Sequence, residues 1–296
     1  MEIQSITPEL EEKGLRLDKV ILNHMPDRSR TEIQKWIKAG QVIVNDNVEK
    51  ANYKVEEEDV IQVTLPDPQS TEIRPEDIPL DIIYEDDKIL IINKPIGIEV
   101  TGNNSLTSIV HNLYKTSEFL PMPCHRIDRN TIGLVLFAKN QSSLDILLNK
   151  FKSHEIEKHY LALVYGIPKK NFQRCEAYLF KDNKKSQVYI SNTMKKGYQK
   201  IITTYSVLKR YQNNTSLLDV EIETGKTHQI RAHLAYIGYP IIGDGKYGKN
   251  EINKKFGKKY QMLQNYILKF NFKTPSGILE YLNGKSFMIP KSKQLK

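Results

Sequence analysis

The chain has 296 residues, of which 39% are hydrophobic and 27% charged, with 16 Tyr and 9 Phe. That is apolar material enough to offset chain entropy, which excludes a disordered protein, and at about 150 residues per domain it suggests one large domain or two unequal ones. No run of 18 apolar residues occurs, the start MEIQSITPELEEKG is acidic and polar where a secretory signal needs a basic tip, and Cys124 and Cys175 are too few for a disulfide framework. The expectation is a cytoplasmic protein without a membrane span.

Lys and Arg total 44 against 35 Asp and Glu, a formal net charge of +9. Residues 1 to 66 carry 9 basic and 13 acidic side chains, so the excess lies in the remainder as +13. A localised basic surface points to a polyanionic partner. Residues 169 to 210 concentrate it, with 11 basic against 2 acidic side chains interleaved with Phe172, Tyr178, Phe180, Tyr189, Tyr198 and Tyr205. Such a run also suits the solvated outer face of a sheet.

In chain order, Leu15 to Leu22 has apolar residues at helical spacing. Ser29, with Glu32 three residues on, reads as a capping box opening a second helix whose buried stripe is Ile33, Trp36 and Ile37, and Gly40 stops it. Period-two character follows in Gln41 to Val44, a turn at Asn45-Asp46-Asn47, and a return through Val60 to Val63. The phrases LRLDKVILN and SRTEIQKWIKAGQVIVNDNVEKANYKVEEEDVIQV resemble the small RNA-binding module of ribosomal small-subunit protein four, the alpha-L motif, which implies a domain over 12 to 65. The resemblance makes Arg16, Arg28, Arg30 and Lys35 the candidates for RNA contact, with the acidic run Glu56 to Asp59 weakening any strong clamp.

Residues 66 to 79 hold four prolines and no apolar period, and read as a linker. Strand-like runs then recur at Ile89–Ile92, Leu134–Ala138, Tyr160–Tyr165, Val188–Ile190, Ile201–Val207, Leu217–Ile222 and Tyr266–Phe272, with helices expected over Gln141–Phe151 and His228–Ile237. This is an α+β pattern on a mixed, mainly antiparallel central sheet. On the second helix, His228 and Arg231 share one face while Ile230, Leu234 and Ile237 form an opposite, core-facing stripe.

Familiar chemistries fail one by one. Gly225-Lys226-Thr227 lacks the glycine a phosphate loop needs five positions earlier, where Val220 stands; His228 and His233 have the wrong spacing for a zinc protease; no G-x-S-x-G elbow occurs. No metal is expected. What remains is Pro123-Cys124-His125-Arg126-Ile127-Asp128-Arg129-Asn130-Thr131-Ile132-Gly133-Leu134, which places one carboxylate amid cations. An Asp beside Arg has its charged form favoured, which suits a persistent nucleophile, although an isolated Asp-Arg pair suits a turn cap or salt bridge equally.

HRIDRNTIGLVLFAK resembles the signature loop of pseudouridine synthases of the RluA and RluD type, whose pattern is His-Arg-Leu-Asp-x-x-Thr-Ser-Gly-Leu. Three more blocks match in order: Ile91 to Gly97, Glu157 to Gly166, and Thr224 to Leu234 followed by Gly238 to Gly248. The resemblance implies a pseudouridine synthase catalytic domain over 80 to 292, acting on RNA without a cofactor. By position it implies Asp128 as catalytic carboxylate, attacking either the ribose or the uracil ring. It further implies Arg126 as the side chain inserted where the target base leaves the stack, Tyr160 packed on the uracil and assisting proton removal from carbon five, Arg231 paired with the aspartate, and Ile230 lining the base pocket.

Three departures stand out: Ile132 for the usual Ser, Lys226 for Arg, and Ile98-Glu99-Val100-Thr101 where an apolar-His-Pro sequence is typical. The partner implied is large-subunit ribosomal RNA or its precursor particle, with transfer RNA or a non-catalytic RNA-binding role as alternatives and a monomer as the expected state.

Overall fold

The computed structural model describes residues 2–26, 28–65 and 79–295. The chain divides into two units, Met1–Glu72 and Ile73–Lys296. The linker expected over 66 to 79 lies outside the described residues except for Pro79.

The first unit pairs two helices with a small sheet. Its elements are β1 (Glu2–Ile6), α1 (Leu17–His24), α2 (Arg30–Lys38), β2 (Val42–Val44), β3 (Asn47–Val48) and β4 (Ile61–Leu65). The antiparallel sheet runs β1-β4-β2-β3. β1 falls before residue 12, where the domain was expected to open, and adds a strand ahead of the sheet expected from Gln41 onward. Its missing signal is physical: Ile3 is 61% exposed, and only Ile6 is buried, so no alternation marks an edge strand of this kind. Ile33, Trp36 and Ile37 are buried as the helical stripe requires, and they pack on Leu17, Val20, Ile21, Val42 and Val63. Ser29 caps α2 by accepting from the Glu32 amide at 3.2 Å. The reciprocal half of the expected box is replaced by an ion pair of Glu32 with Arg28 at 3.6 Å.

Asp18 is the buried polar centre of this unit, with no exposed surface. It accepts from Arg16 Nε (2.9 Å), Arg16 Nη2 (3.1 Å), Arg30 Nε (3.1 Å) and Gln34 Nε2 (2.6 Å), tying α1 to α2. Burial alone would raise its carboxyl; the bonds from Arg16, Gln34 and Arg30 overcome that and bring it down to about 2. Arg16 and Arg30 are thus held in place by the fold, while Arg28 lies over the Trp36 ring at 5.8 Å and Lys35 is exposed.

The second unit is built on an 11-stranded sheet. Its strands are β5 (Ile82–Glu85), β6 (Ile89–Lys94), β7 (Met122–Pro123), β8 (Ile132–Ala138), β9 (Ile156–Tyr165), β10 (Phe172–Asp182), β11 (Gln187–Ser191), β12 (Gln199–Tyr211), β13 (Thr215–Ile222), β14 (Leu263–Phe270) and β15 (Ser286–Met288). The order is β11-β10-β12-β13-β9-β14-β8-β6-β5, with β15 on β14 and β7 on β8. Every pairing is antiparallel except β14 with β8, as the mixed, mainly antiparallel expectation holds. The helices are α3 (Leu106–Leu113), α4 (Gln141–Lys152), α5 (Gln229–Tyr236) and α6 (Asn250–Lys255). Among the described residues no helix is long and apolar enough to cross a membrane.

Both faces of the central strands are covered, which explains their continuous apolar runs. Ile89, Ile91, Leu134, Leu136 and Leu161 enter one core; Leu90, Ile92, Val135, Phe137, Tyr160 and Ala162 enter the other. Where β8 starts beside β14, Gly133 has φ +114°, and a Cβ there would fall on the main-chain carbonyl of Asn265. Only glycine allows the two strands to meet, so the chain leaves the Asp128 loop along one fixed line.

The first unit should depend on Asp18. Its carboxyl sits at about 2 against an ordinary 3.8, so its contribution is complete above pH 4 and is lost as pH falls toward 2. Asp18→Ala leaves two arginines without their shared acceptor and should cost roughly 2–3 kcal/mol, discounted for the partial exposure of both guanidinium groups. Trp36 is the single tryptophan of the chain, so its fluorescence during urea unfolding reports this unit; an unchanged midpoint at pH 7 would refute the role.

Candidate active site

The loop before β8 carries Asp128 and is fastened from below by Lys94. Lys94, fully buried at the end of β6, donates to the carbonyls of Pro95 (2.8 Å), Ile98 (2.8 Å) and Arg129 (3.0 Å). Burial lowers its amine to about 8, and the nearby charge of Asp128 opposes the fall. The Gly97 amide donates to Arg129 O at 3.1 Å, and Arg129 Nε donates back to Gly97 O at 2.8 Å. Thr131 N donates to Asp128 O at 3.0 Å, and buried Thr131 Oγ1 accepts from Gln261. These bonds brace the loop from residues flanking position 132, so Ile132 leaves it held without a hydroxyl there.

Arg231 sits on α5 and reaches the same loop. Its Nη1 donates to Asp128 Oδ2 at 2.8 Å, while Nε and Nη2 form a two-pronged pair with Asp244 at 2.7 and 3.0 Å. Asp244 has no exposed surface and accepts from the backbone amides of Lys246 and Tyr247. Burial opposes both charges; the bonds to Asp244 and the two carboxylate charges nevertheless raise the guanidinium further, and Arg231 lowers Asp244 below the carboxylate range. The Tyr247 ring lies 5.4 Å from the guanidinium carbon.

His228 precedes α5 in a left-handed conformation, φ +53°. Its Nδ1 is 2.9 Å from the Tyr247 hydroxyl and its Nε2 is 4.0 Å from Asp128 Oδ2. Burial lowers its pKa, with Asp128 resisting. It therefore starts the helix one residue later than expected. The helix also departs from a one-sided stripe: Gln229, Ile230, Arg231, Ala232, His233 and Leu234 are all buried. Its polar side chains have internal partners, since Gln229 donates to Ile202 O and Thr203 Oγ1, and His233 Nδ1 meets Thr203 Oγ1 at 3.0 Å.

Tyr160, on β9, completes the arrangement. It is 5% exposed; burial, and secondarily the Asp128 charge, push its hydroxyl above the ordinary tyrosine value of 10, so it stays protonated. Asp128, Arg231, Tyr160, Ile230 and Arg126 all line one cleft of about 360 Å³, whose apolar wall includes Ile127, Ile222 and Leu263. That volume suits one small ligand, with a flat ring against apolar side chains and charged groups fixing its orientation. A second cleft of about 270 Å³ shares Arg126, Asp128, His228 and Arg231 and adds Glu99 and Arg129, so Asp128 stands in the wall of both. Arg16, Arg28, Arg30 and Lys35 belong to the other unit. Among the described residues no group of His, Cys, Asp and Glu gathers as metal ligands do.

Asp244, Tyr247 and Lys94 were not singled out from the sequence, although each lies in a motif quoted above. Their partners are 13, 19 and up to 35 residues away, and only the folded chain joins them.

The site thus sets a carboxylate, held by a buried arginine, in the wall of a cleft large enough for a flat ring. The sequence pattern of the family described as RNA pseudouridylate synthase matches residues 88–236, and that of the S4 domain matches 15–61. An uncharacterized RNA pseudouridine synthase of Bacillus subtilis (strain 168) is 38% identical over 253 residues, 82% of each chain. The ribosomal large subunit pseudouridine synthase D of Buchnera aphidicola subsp. Baizongia pistaciae is 32% identical over 276 residues, 90% of this chain and 83% of that one. The solved structure of human RNA pseudouridylate synthase domain containing 4 has the same fold, with TM-score 0.58 at 21% identity, covering 71% of this chain and 87% of that one. The chain belongs to the RNA pseudouridine synthase family, with an N-terminal S4 domain, and is an isomerase.

Arg231 tests the geometry. Arg231→Lys keeps the charge and loses the fork, so one ammonium cannot span Asp244 and Asp128. Turnover should fall by about 10²-fold with RNA affinity nearly unchanged. Asp244→Asn should act in the same direction, because it leaves the guanidinium free to turn from Asp128. Steady-state kinetics showing a loss in KM alone would contradict this.

Proposed function

We propose that this enzyme isomerises specific uridines of large-subunit ribosomal RNA, with Asp128 as its catalytic carboxylate and the target base extruded from its stack. The observation that carries the proposal is the 2.8 Å pair between Arg231 and Asp128 in the wall of a ring-sized cleft. The reaction breaks the bond from ribose carbon one to uracil nitrogen one and rejoins the ring through carbon five, releasing the proton there. It needs no redox change, metal or cofactor. Asp128 supplies the nucleophile and Arg231 fixes its direction.

Tyr160 and Ile230 provide the slot for the ring, and Arg126, exposed at the cleft, fills the space the base vacates. Because the Tyr160 hydroxyl stays protonated, it can pass on the carbon-five proton only by giving up its own. The name of the Buchnera relative, a ribosomal large subunit synthase, and the S4 domain support the RNA class, with Arg16, Arg28, Arg30 and Lys35 offered as contacts to folded RNA. A monomer working in the cytoplasm completes the reading. Phosphate contacts make its binding fall steeply with salt.

Tritium release from carbon five of labelled, unmodified large-subunit ribosomal RNA tests both parts. Wild type should release it, and Asp128→Asn, nearly the same shape without the charge, should be slower by at least about 10³-fold while still binding RNA. Normal release by Asp128→Asn would remove Asp128 from the mechanism. No release by wild type would move the substrate to transfer RNA or a precursor particle.

A further inference from the structure

Lys158 and Tyr160 stand two residues apart on β9, so the pleat sends both side chains to one face, about 7 Å apart along the strand. Both line the cleft. Lys158 has no hydrogen-bond acceptor and no carboxylate partner among the described residues; its ammonium lies 4.9 Å from the centre of the Phe151 ring. Burial lowers its pKa to about 8, with no opposing negative charge. A partly buried cation left so is costly to the free protein, and an anion brought beside it would lower that cost.

Two neighbours reinforce the point. His125 Nε2 accepts from the Leu136 amide at 3.1 Å, so Nδ1 carries the proton, and that buried donor has no acceptor either. Its ring contacts Phe151 with centroids 4.8 Å apart. Lys158 Nζ also reaches to within 4.0 Å of where a side chain on Gly225 would begin, one residue before Lys226. The lining contains Arg126, Lys152, Lys158, Lys226 and Arg231 against a single carboxylate, Asp128, and Arg231 is already neutralised by Asp244.

Resting on the reading of the substrate as a uridine within RNA, we propose that Lys158 and Lys226 form a subsite for a phosphodiester of the extruded nucleotide. A nucleotide whose ring lies against Tyr160 carries its own phosphates within the reach of the lysine two residues along the strand. The contact holds the flipped nucleotide by its backbone, whatever the surrounding sequence, and leaves the choice of base to the slot beside it.

The test uses uridine 3′,5′-bisphosphate and uridine as probes of the whole protein, read by phosphorus and proton line broadening. Wild type should broaden the phosphorus signals. Lys158→Met, which keeps the apolar stem on Phe151, should weaken bisphosphate binding by about tenfold, the loss of one charged hydrogen bond, and leave uridine binding unchanged. Lys158→Arg should restore most of it. Equal losses for both probes, undiminished broadening in Lys158→Met, or no broadening by wild type would each overturn the subsite. Tritium release separates the two readings: a wild type inactive on ribosomal RNA that still shows the lysine-dependent difference loses its proposed substrate and keeps the subsite. Active wild type without that difference does the reverse.

Discussion

Arg231 is fixed by being shared. A guanidinium taken out of water costs several kcal/mol, and about as much again is spent on the carboxylate that faces it. Here the outlay is met by Asp244, which grips two of the three nitrogens and is itself gripped by two backbone amides. The remaining nitrogen, Nη1, donates to Asp128. Three parts of the chain therefore agree on one point: α5, the turn at 244 to 247, and the loop before β8. With two carboxylates on one guanidinium, the cluster keeps a net negative charge, and the carboxylate nearer the cleft is the one free to use it. Lys94 completes the construction by tying three carbonyls under that loop without spending a carboxylate of its own.

How much of this could be read from residues alone depends on the range of the interactions. The runs at Ile89 to Ile92 and Leu134 to Ala138 are legible because a strand buried on both faces must be apolar throughout. β10 is harder: exposed Arg174 and Glu176 alternate with buried Cys175, Ala177 and Leu179, and the charges dominate the impression. α3 carries Thr107, Ile109 and Val110, whose branched side chains weaken the helical signal, and it is the Ser105 cap that makes it begin. α5 was legible as a helix and misleading as an amphipathic one, since Gln229 and His233 look like solvent-facing residues until Thr203 and the Ile202 carbonyl supply their partners.

The site divides in the same way. Asp128, Tyr160, Arg231, Ile230 and Arg126 were found through motif resemblance, and the fold brings all five to one cleft. Asp244 sits in Gly243-Asp244-Gly245, which reads as a turn residue; its work is tertiary, against a helix 13 residues earlier. In the first unit, Arg16 and Arg30 looked like free cations offered to RNA. Asp18 shows that each also has a structural duty, which holds them in place on the helices and reduces what they can gain by turning to a phosphate.

The cations of this protein thus fall into two kinds, and the distinction explains what its +9 charge can do. Arg231 is held by two carboxylates, Arg16 and Arg30 share Asp18, and Lys94 is held by carbonyls; the fold fixes the direction of all four. Arg126, Lys152, Lys158 and Lys226 have no carboxylate partner among the described residues, and all four line the cleft that holds Asp128. A polyanion is drawn toward such a cleft wherever its sequence happens to begin. Attraction of this kind does not discriminate; the shape of the cleft does, with Tyr160 and Ile230 in its wall beside a carboxylate that Arg231 holds in place.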